Sequence, residues 1–314
     1  MAKILINDGI HPTGVQLLKD AGHDIILNKI EQADLPSQLP SFDAICVRSA
    51  TKVRADLIDV CPKLKAIGRG GVGLDNIDVS HAKSKGIDVL NTPAASSRSV
   101  AELVFAHLLS LARSLYNSNR KMPVKGDTEF KSLKKSYSKG FEIQGKTLGV
   151  IGFGRIGQAT AEIALSMGMK VMAVDPFINE AQLRIGGKNI GMDVTISTVP
   201  MDEMLLSADI ITLHIPNLGK YVLSTDEFSK MKDGTILINC SRGGTVDEEA
   251  MLVALGSGKL GGAGLDVFEN EPTPKNAILS HSKISLTPHT GASTGEAQEK
   301  IGIELAEKLI AVFK

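Results

Sequence analysis

One stretch of this chain leaves little freedom of fold. Thr147-Leu148-Gly149-Val150-Ile151 is a strand-like run that stops at Gly152-Phe153-Gly154-Arg155-Ile156-Gly157. A helical pattern follows through Gln158–Met167, and Gly168 stands where a helix C-cap belongs. Lys170–Val174 is then a second strand, closed by Asp175. Strand, glycine turn, helix and strand form a unit of about 30 residues whose strands must lie parallel, with the helix on one face.

The pattern G-x-G-x-x-G is weak evidence alone, and its context decides. Here each glycine has its own reason. Gly152 allows the tight turn, Gly154 lets the backbone approach a pyrophosphate, and Gly157 lets helix and strand pack closely. Free N–H groups at the helix start would bind the phosphates. Asp175 would accept hydrogen bonds from the adenosine ribose. An acid there repels a 2′-phosphate, and Pro176-Phe177 offers no arginine to hold one, so the reading is NAD rather than NADP. A second copy, Gly68-Arg69-Gly70-Gly71-Val72-Gly73, fails the same test. No helix opens directly after it, and the next strand ends in Asn91-Thr92 without an acid. Its glycines read as a tight turn, one that could line a site.

The alternation extends along the chain. Strands are predicted at Lys3–Ile6, Ile25–Leu27, Ala44–Val47, Ala66–Ile67, Asp88–Leu90, Thr147–Ile151, Lys170–Val174, Val194–Ile196, Ile210–Leu213, Thr235–Asn239, Gly262–Asp266 and Ile284–Leu286. Helix-like segments include Gly14–Ala21, Ser99–Asn117, Arg155–Met167 and Asp247–Gly256. The class is α/β, with parallel sheets covered by helices on both faces. Ser99–Asn117 is apolar on more than one face, which suits a helix linking domains or entering a subunit interface. Arg120–Gly140 reads as a solvated, partly irregular connection, with Lys131, Lys134, Lys135 and Lys139 exposed.

Composition sets outer limits. The 314 residues balance 35 Lys+Arg against 35 Asp+Glu, so no global field argues for nucleic acid. Met1–Asp8 reads as a strand rather than a signal peptide, and no apolar run approaches the ~20 residues of a membrane span. Cys46, Cys61 and Cys240 form no CxxC pair and no metal-like spacing, so no metal is expected and a reducing cytoplasm is.

Open α/β sheets bind ligands beyond the carboxyl ends of their strands. Three such places carry chemistry. Ile236–Gly244 ends a strong strand with Arg242 between polar and glycine residues, and a planar guanidinium can grip a carboxylate by two parallel hydrogen bonds. Gly262–Pro272 offers three acids, Asp266, Glu269 and Glu271, beyond another strand. His289, in Ser285–Thr294, follows the last. Oxidising an alcohol with a hydride acceptor needs a group to take the hydroxyl proton. Histidine titrates in the right range, and a carboxylate behind it would fix its tautomer.

The stretches "LGVIGFGRIG", "LINCSRGGTVDEEAML", "GAGLDVFENEP" and "TPHTGAST" resemble the NAD-dependent D-2-hydroxyacid dehydrogenases, over nearly the whole chain. That resemblance implies two Rossmann-like, doubly wound parallel-sheet domains, the cofactor domain inserted into the substrate domain. It places the substrate-binding domain at 1–98 plus 287–314 and the NAD-binding domain at 99–286. It implies Arg242 as carboxylate anchor, Glu271 as the partner of the histidine, and His289 as acid/base. It implies cofactor contacts from Gly152, Gly154, Arg155, Ile156, Gly157, Asp175, Val72, Ile215, Cys240, Ser241, Asp266, Gly291 and Ala292. Asp266 matches a position near the nicotinamide carboxamide, and Cys240 a wall rather than a nucleophile.

"ICVRSATKV" and "IGRGGVGLDNID" are similar to the D-3-phosphoglycerate dehydrogenases in particular. On that resemblance Arg48 and Arg69 bind a substrate phosphate; a lysine of the 131–139 cluster, such as Lys134 of a neighbouring subunit, could add to the clamp. A phosphorylated 2-hydroxy acid is then the substrate, and the 99–117 helix region joins a homodimer. Longer relatives carry C-terminal regulatory domains, and none is expected after the closing helix Thr294–Phe313. The rivals are a glyoxylate/hydroxypyruvate reductase on the same scaffold and an NAD-sensing, non-catalytic protein like the corepressors of this fold.

Overall fold

The computed structural model describes residues 1–186 and 191–314. Contacts divide the chain into two compact units, Met1–Ser99 with Ala292–Lys314, and Val100–Gly291.

The first unit holds strands β1 (Lys3–Ile6), β2 (Asp24–Ile26), β3 (Ala44–Val47), β4 (Ala66–Arg69) and β5 (Asp88–Asn91). They form one sheet in the order β2-β1-β3-β4-β5, every pair parallel. The central strands β1, β3 and β4 are apolar and buried apart from Lys3 and Arg69 at their ends, because both faces are covered. Leu5, Ile45, Val47 and Ile67 face one core, while Ile4, Ile6, Cys46 and Ala66 face another that includes Leu305 and Leu309. Leu305 and Leu309 lie on the helix Gly295–Val312, which packs on the helix Pro12–Asp20. There Gly14 admits Gly302 so closely that a Cβ on Gly14 would overlap the Gly302 carbonyl.

The second unit begins within the helix Ser97–Ala112. Its strands are β6 (Thr147–Ile151), β7 (Lys170–Val174), β8 (Glu180–Gly186), β9 (Gly191–Ser197), β10 (Ile210–Leu213), β11 (Thr235–Asn239), β12 (Leu260–Leu265) and β13 (Ile284–Leu286). Six make a parallel sheet in the order β13-β12-β11-β10-β6-β7. Leu148, Val150, Ile236 and Ile238 face a core shared with Val104, Leu108, Ala161 and Ala164, and Ile211, Leu213, Leu237 and Leu265 face one shared with Met204, Phe228, Met251 and Leu255. Both units are therefore α/β with helix-covered parallel sheets, the predicted class.

Three local expectations need correction. The predicted single helix Ser99–Asn117 breaks after Ala112, where Ser114 takes φ 51°. The Ala112 carbonyl accepts the returning Phe141 N–H at 3.0 Å, so it serves a tertiary contact. The connection Arg120–Gly140 is largely helical, through Leu115–Lys125 and Phe130–Ser136. The first of these helices buries no residue, so it shows no apolar stripe for a periodicity to reveal. Finally, the run Val194–Ile196 belongs to β9, which pairs antiparallel with β8 and not with the parallel sheet. β8 was not foreseen; it buries only Leu183 fully, although Ala181, Leu183 and Ile185 alternate with exposed neighbours.

Among the described residues no helix is long and apolar enough to cross a membrane. Nor could any group of three or more His, Cys, Asp or Glu side chains among them hold a metal ion.

Candidate active site

β6 lies between β7 and β10, so the chain leaves it toward one side of the sheet and later returns on the other. Such a switch point opens a crevice at the strand ends. Gly152 stands there with φ 92°, and a Cβ on it would lie 2.6 Å from His214 O and 2.7 Å from Ile215 Cγ2. A Cβ on Gly157 would overlap the Gly152 carbonyl, so the helix Arg155–Ser166 packs down on the turn because Gly157 lacks one. Gly154 faces open space. It is the N-cap of that helix and contributes no side-chain capping bond. Arg155 is exposed in the first turn and Ile156 half-buried.

Asp175 ends β7 and ties the turn together. Its Oδ2 accepts the Phe153 N–H at 2.8 Å, and its Oδ1 accepts those of Phe177 and Ile178 at 2.8 and 3.1 Å. Carboxylate oxygens have further lone pairs for ribose hydroxyls. An uncapped helix start, an open glycine and an anchored acid one strand away fit a dinucleotide.

β11, β12 and β13 are consecutive neighbours in the sheet, and each releases one of the three chemical groups at its carboxyl end. Arg242 follows β11. Asn239, 3% exposed, builds its turn by donating to Arg242 O at 3.0 Å while accepting from Ser241 N at 3.0 Å and Ser241 Oγ at 2.7 Å. Arg242 Nη1 donates to Ser241 O at 2.6 Å. Gly243 packs against the Phe268 backbone so tightly that a Cβ would overlap its carbonyl. That contact sets the arginine turn beside the loop after β12.

The three acids of that loop separate by environment. Asp266 is 1% exposed, and its carboxylate accepts from Thr287 Oγ1, Thr290 N and Gly291 N at 2.6, 2.7 and 2.8 Å. Glu269 accepts from Glu248 N at 3.0 Å and pairs with Lys275 at 3.3 Å. Glu271 alone reaches the histidine: its Oε2 lies 2.8 Å from His289 Nδ1, while its Oε1 accepts the Phe268 N–H at 2.9 Å. Burial pushes the Glu271 carboxyl up, but the bonds from His289 and Phe268 and the charges of His289 and Arg242 bring it below its ordinary value. The arginine is therefore electrostatically part of the pair.

His289 has φ 55°, rare for a residue with a side chain. Its N–H bonds Asp266 O at 2.8 Å, which holds that posture. Nδ1 is committed to Glu271, so Nε2 is the ring nitrogen placed to exchange a proton. Cys240 is 7% exposed, and burial, aided by the Asp266 charge, raises its thiol well above the usual range. A neutral thiol makes a wall, not a nucleophile.

In the first unit, Arg48 and Arg69 stand at the carboxyl ends of the neighbouring strands β3 and β4. Asp8 accepts the Arg48 N–H at 2.7 Å and also binds Thr51, while Asn76 donates to Arg48 O at 2.8 Å. The Arg69 guanidinium lies over Gly71, where any Cβ would overlap it. Val72 and Ala292 also belong to this unit, and the other predicted site residues to the second. Lys131, Lys134, Lys135 and Lys139 are exposed. Sequence reasoning missed Asn239, Thr287 and His107. A buried asparagine closing the apolar run Thr235–Ile238 was a usable signal for the first.

Residues 105–291 match the family model for the NAD binding domain of D-isomer specific 2-hydroxyacid dehydrogenases. The chain is 42% identical over 313 residues to a hydroxypyruvate reductase from Thermotoga maritima, covering 98% of this chain and 97% of that one. It is 39% identical over 316 residues to a D-3-phosphoglycerate dehydrogenase from Methanocaldococcus jannaschii, covering all of this chain but 58% of the relative's length. Among solved structures it resembles the TT0316 protein from Thermus thermophilus, with a TM-score of 0.85, 29% identity and coverage of 99% and 96% of the two chains.

Proposed function

The chain belongs to the D-isomer specific 2-hydroxyacid dehydrogenases, with NAD as cofactor, and from that premise we propose that it interconverts D-3-phosphoglycerate and 3-phosphohydroxypyruvate, the entry step of phosphorylated serine biosynthesis. The observation that carries the chemistry is the 2.8 Å pair between His289 Nδ1 and Glu271 Oε2, with the Arg242 charge felt at Glu271. Bound NAD supplies the hydride acceptor. Arg242 holds the substrate carboxylate in a fork, which orients the carbon bearing the hydroxyl. His289 Nε2 takes the hydroxyl proton, and Glu271 stabilises the imidazolium that results. In the reductive direction the same nitrogen donates. The helix start at Arg155 and the carboxylate of Asp175 bind the cofactor's phosphates and ribose.

Arg48 and Arg69, on adjacent strands, hold the substrate phosphate. The similarity to a D-3-phosphoglycerate dehydrogenase supports this reading. The 42% identity to a hydroxypyruvate reductase favours a second one, an unphosphorylated substrate. NADH consumption measured side by side with 3-phosphohydroxypyruvate, hydroxypyruvate, glyoxylate and 2-oxoglutarate separates them. The proposal requires the highest kcat/KM with the phosphorylated acid, and a higher value with hydroxypyruvate or glyoxylate removes it. The exposed apolar side chains Leu109, Leu115, Met122 and Phe130 suit a homodimer through this region.

A further inference from the structure

The helix Ser97–Ala112 buries a histidine that none of these steps uses. His107 is 2% exposed, and it packs on β12 so closely that a Cβ on Gly264 would lie 2.7 Å from its own Cβ. His107 Nδ1 lies 2.8 Å from Ser285 Oγ, and Nε2 lies 3.0 Å from Thr287 Oγ1. Thr287 donates its one hydroxyl proton to Asp266 Oδ1 at 2.6 Å. Its oxygen can therefore only accept from His107, which puts the ring proton on Nε2. Burial lowers the His107 pKa against an upward pull from the Asp266 charge, so the ring is neutral at pH 7. Nδ1 then accepts from Ser285. The chain has one direction: Ser285 O–H to His107, His107 N–H to Thr287, Thr287 O–H to Asp266.

That chain ends where the active-site backbone is held. The Asp266 carboxylate accepts the N–H groups of Thr290 and Gly291 at 2.7 and 2.8 Å, and its main-chain carbonyl accepts that of His289 at 2.8 Å. Three successive amides hang on one aspartate, beginning at the residue with φ 55°. A carboxylate free to rotate would release two of them.

We propose that His107 is a positioning residue for His289: through Thr287 it locks the Asp266 carboxylate, and Asp266 fixes the backbone from which His289 reaches Glu271. The two ring hydrogen bonds of His107 go to Ser285 and Thr287, neither of which is assigned to substrate or cofactor. The kinetic side of this inference rests on His289 being the proton-transfer group, but the structural side does not.

The test compares His107→Met, which keeps bulk but removes both ring nitrogens, with His107→Gln, which keeps an N–H donor toward Thr287. Each full-length variant is assayed for kcat with 3-phosphohydroxypyruvate and with hydroxypyruvate, for NADH affinity by fluorescence, and for hydrogen exchange. In His107→Met, kcat should fall about tenfold, and by more than NADH affinity falls. Exchange should quicken at His289–Gly291 and not at β6 or the helix Arg155–Ser166. His107→Gln should recover most of the kcat and the protection. The inference is overturned if His107→Met keeps both kcat and protection at His289–Gly291, even with a lower melting temperature. It is also overturned if the two variants are equally damaged. If the parent turns over no keto acid, the proton-transfer reading fails, and exchange at His289–Gly291 still decides the role of His107.

Discussion

His289 and Glu271 meet at 2.8 Å across eighteen residues of sequence because they leave adjacent parallel strands at the same end. The pair shapes the response to pH. The Glu271 carboxyl titrates below its ordinary value, so its contribution to folding is fully present above the unfolded value of about 4.3 and fades as pH falls through the lower folded value. Glu271→Gln should melt slightly below the parent at about pH 5, above the unfolded carboxylate value. That margin should shrink below about pH 4. Its kcat should fall about ten- to a hundredfold, since Nδ1 loses an ionised partner. Parallel melting profiles down to about pH 3 would show that Glu271 is not held low in the fold.

The helix Arg155–Ser166 seats on the glycine turn only because Gly157 has no side chain. Its Cβ would overlap the Gly152 carbonyl and press on Val150 Cγ1 at 3.2 Å. Gly157→Ala should cost about 1–3 kcal/mol of stability and weaken NADH binding, because the helix start moves off the turn. Calorimetry together with NADH fluorescence titration checks both. A variant with unchanged stability and affinity would mean that the turn yields freely.

Arg48 and Arg69 should discriminate by charge. Changing both to Gln should raise the KM for 3-phosphohydroxypyruvate about a hundredfold or more and that for hydroxypyruvate by no more than about threefold. Steady-state kinetics on the two substrates checks this, and equal effects on both would remove the phosphate clamp.

Much of this molecule is legible in its sequence, and the exceptions have physical causes. Strands such as Thr147–Ile151 and Thr235–Asn239 were visible because burial on both faces demands continuous apolar runs. Leu115–Lys125 and β8 were not: the first buries nothing, and the second carries a period-2 alternation at Ala181, Leu183 and Ile185 that was a usable signal but buries only one of the three fully. Arg242 and His289 could be singled out by residue type and by their places after strands, whereas Glu271 was one of three acids there and was chosen only by the resemblance of its Glu-Pro stretch to the family. Which of Asp266, Glu269 and Glu271 faces His289 depends on loop conformation, which residue spacing does not encode. The link from His107 to Asp266 was invisible for a related reason. It joins positions 107 and 287 through a helix–sheet contact that only packing creates.

The most direct measurement is turnover and NADH binding by His289→Ala. If Nε2 of His289 moves the substrate proton, kcat should fall about a hundred- to ten-thousandfold while the NADH dissociation constant stays within about twofold, because the glycine turn at Gly152–Gly157, proposed to hold the cofactor, is untouched. A variant that keeps parental turnover, or that loses NADH binding along with it, would contradict that role.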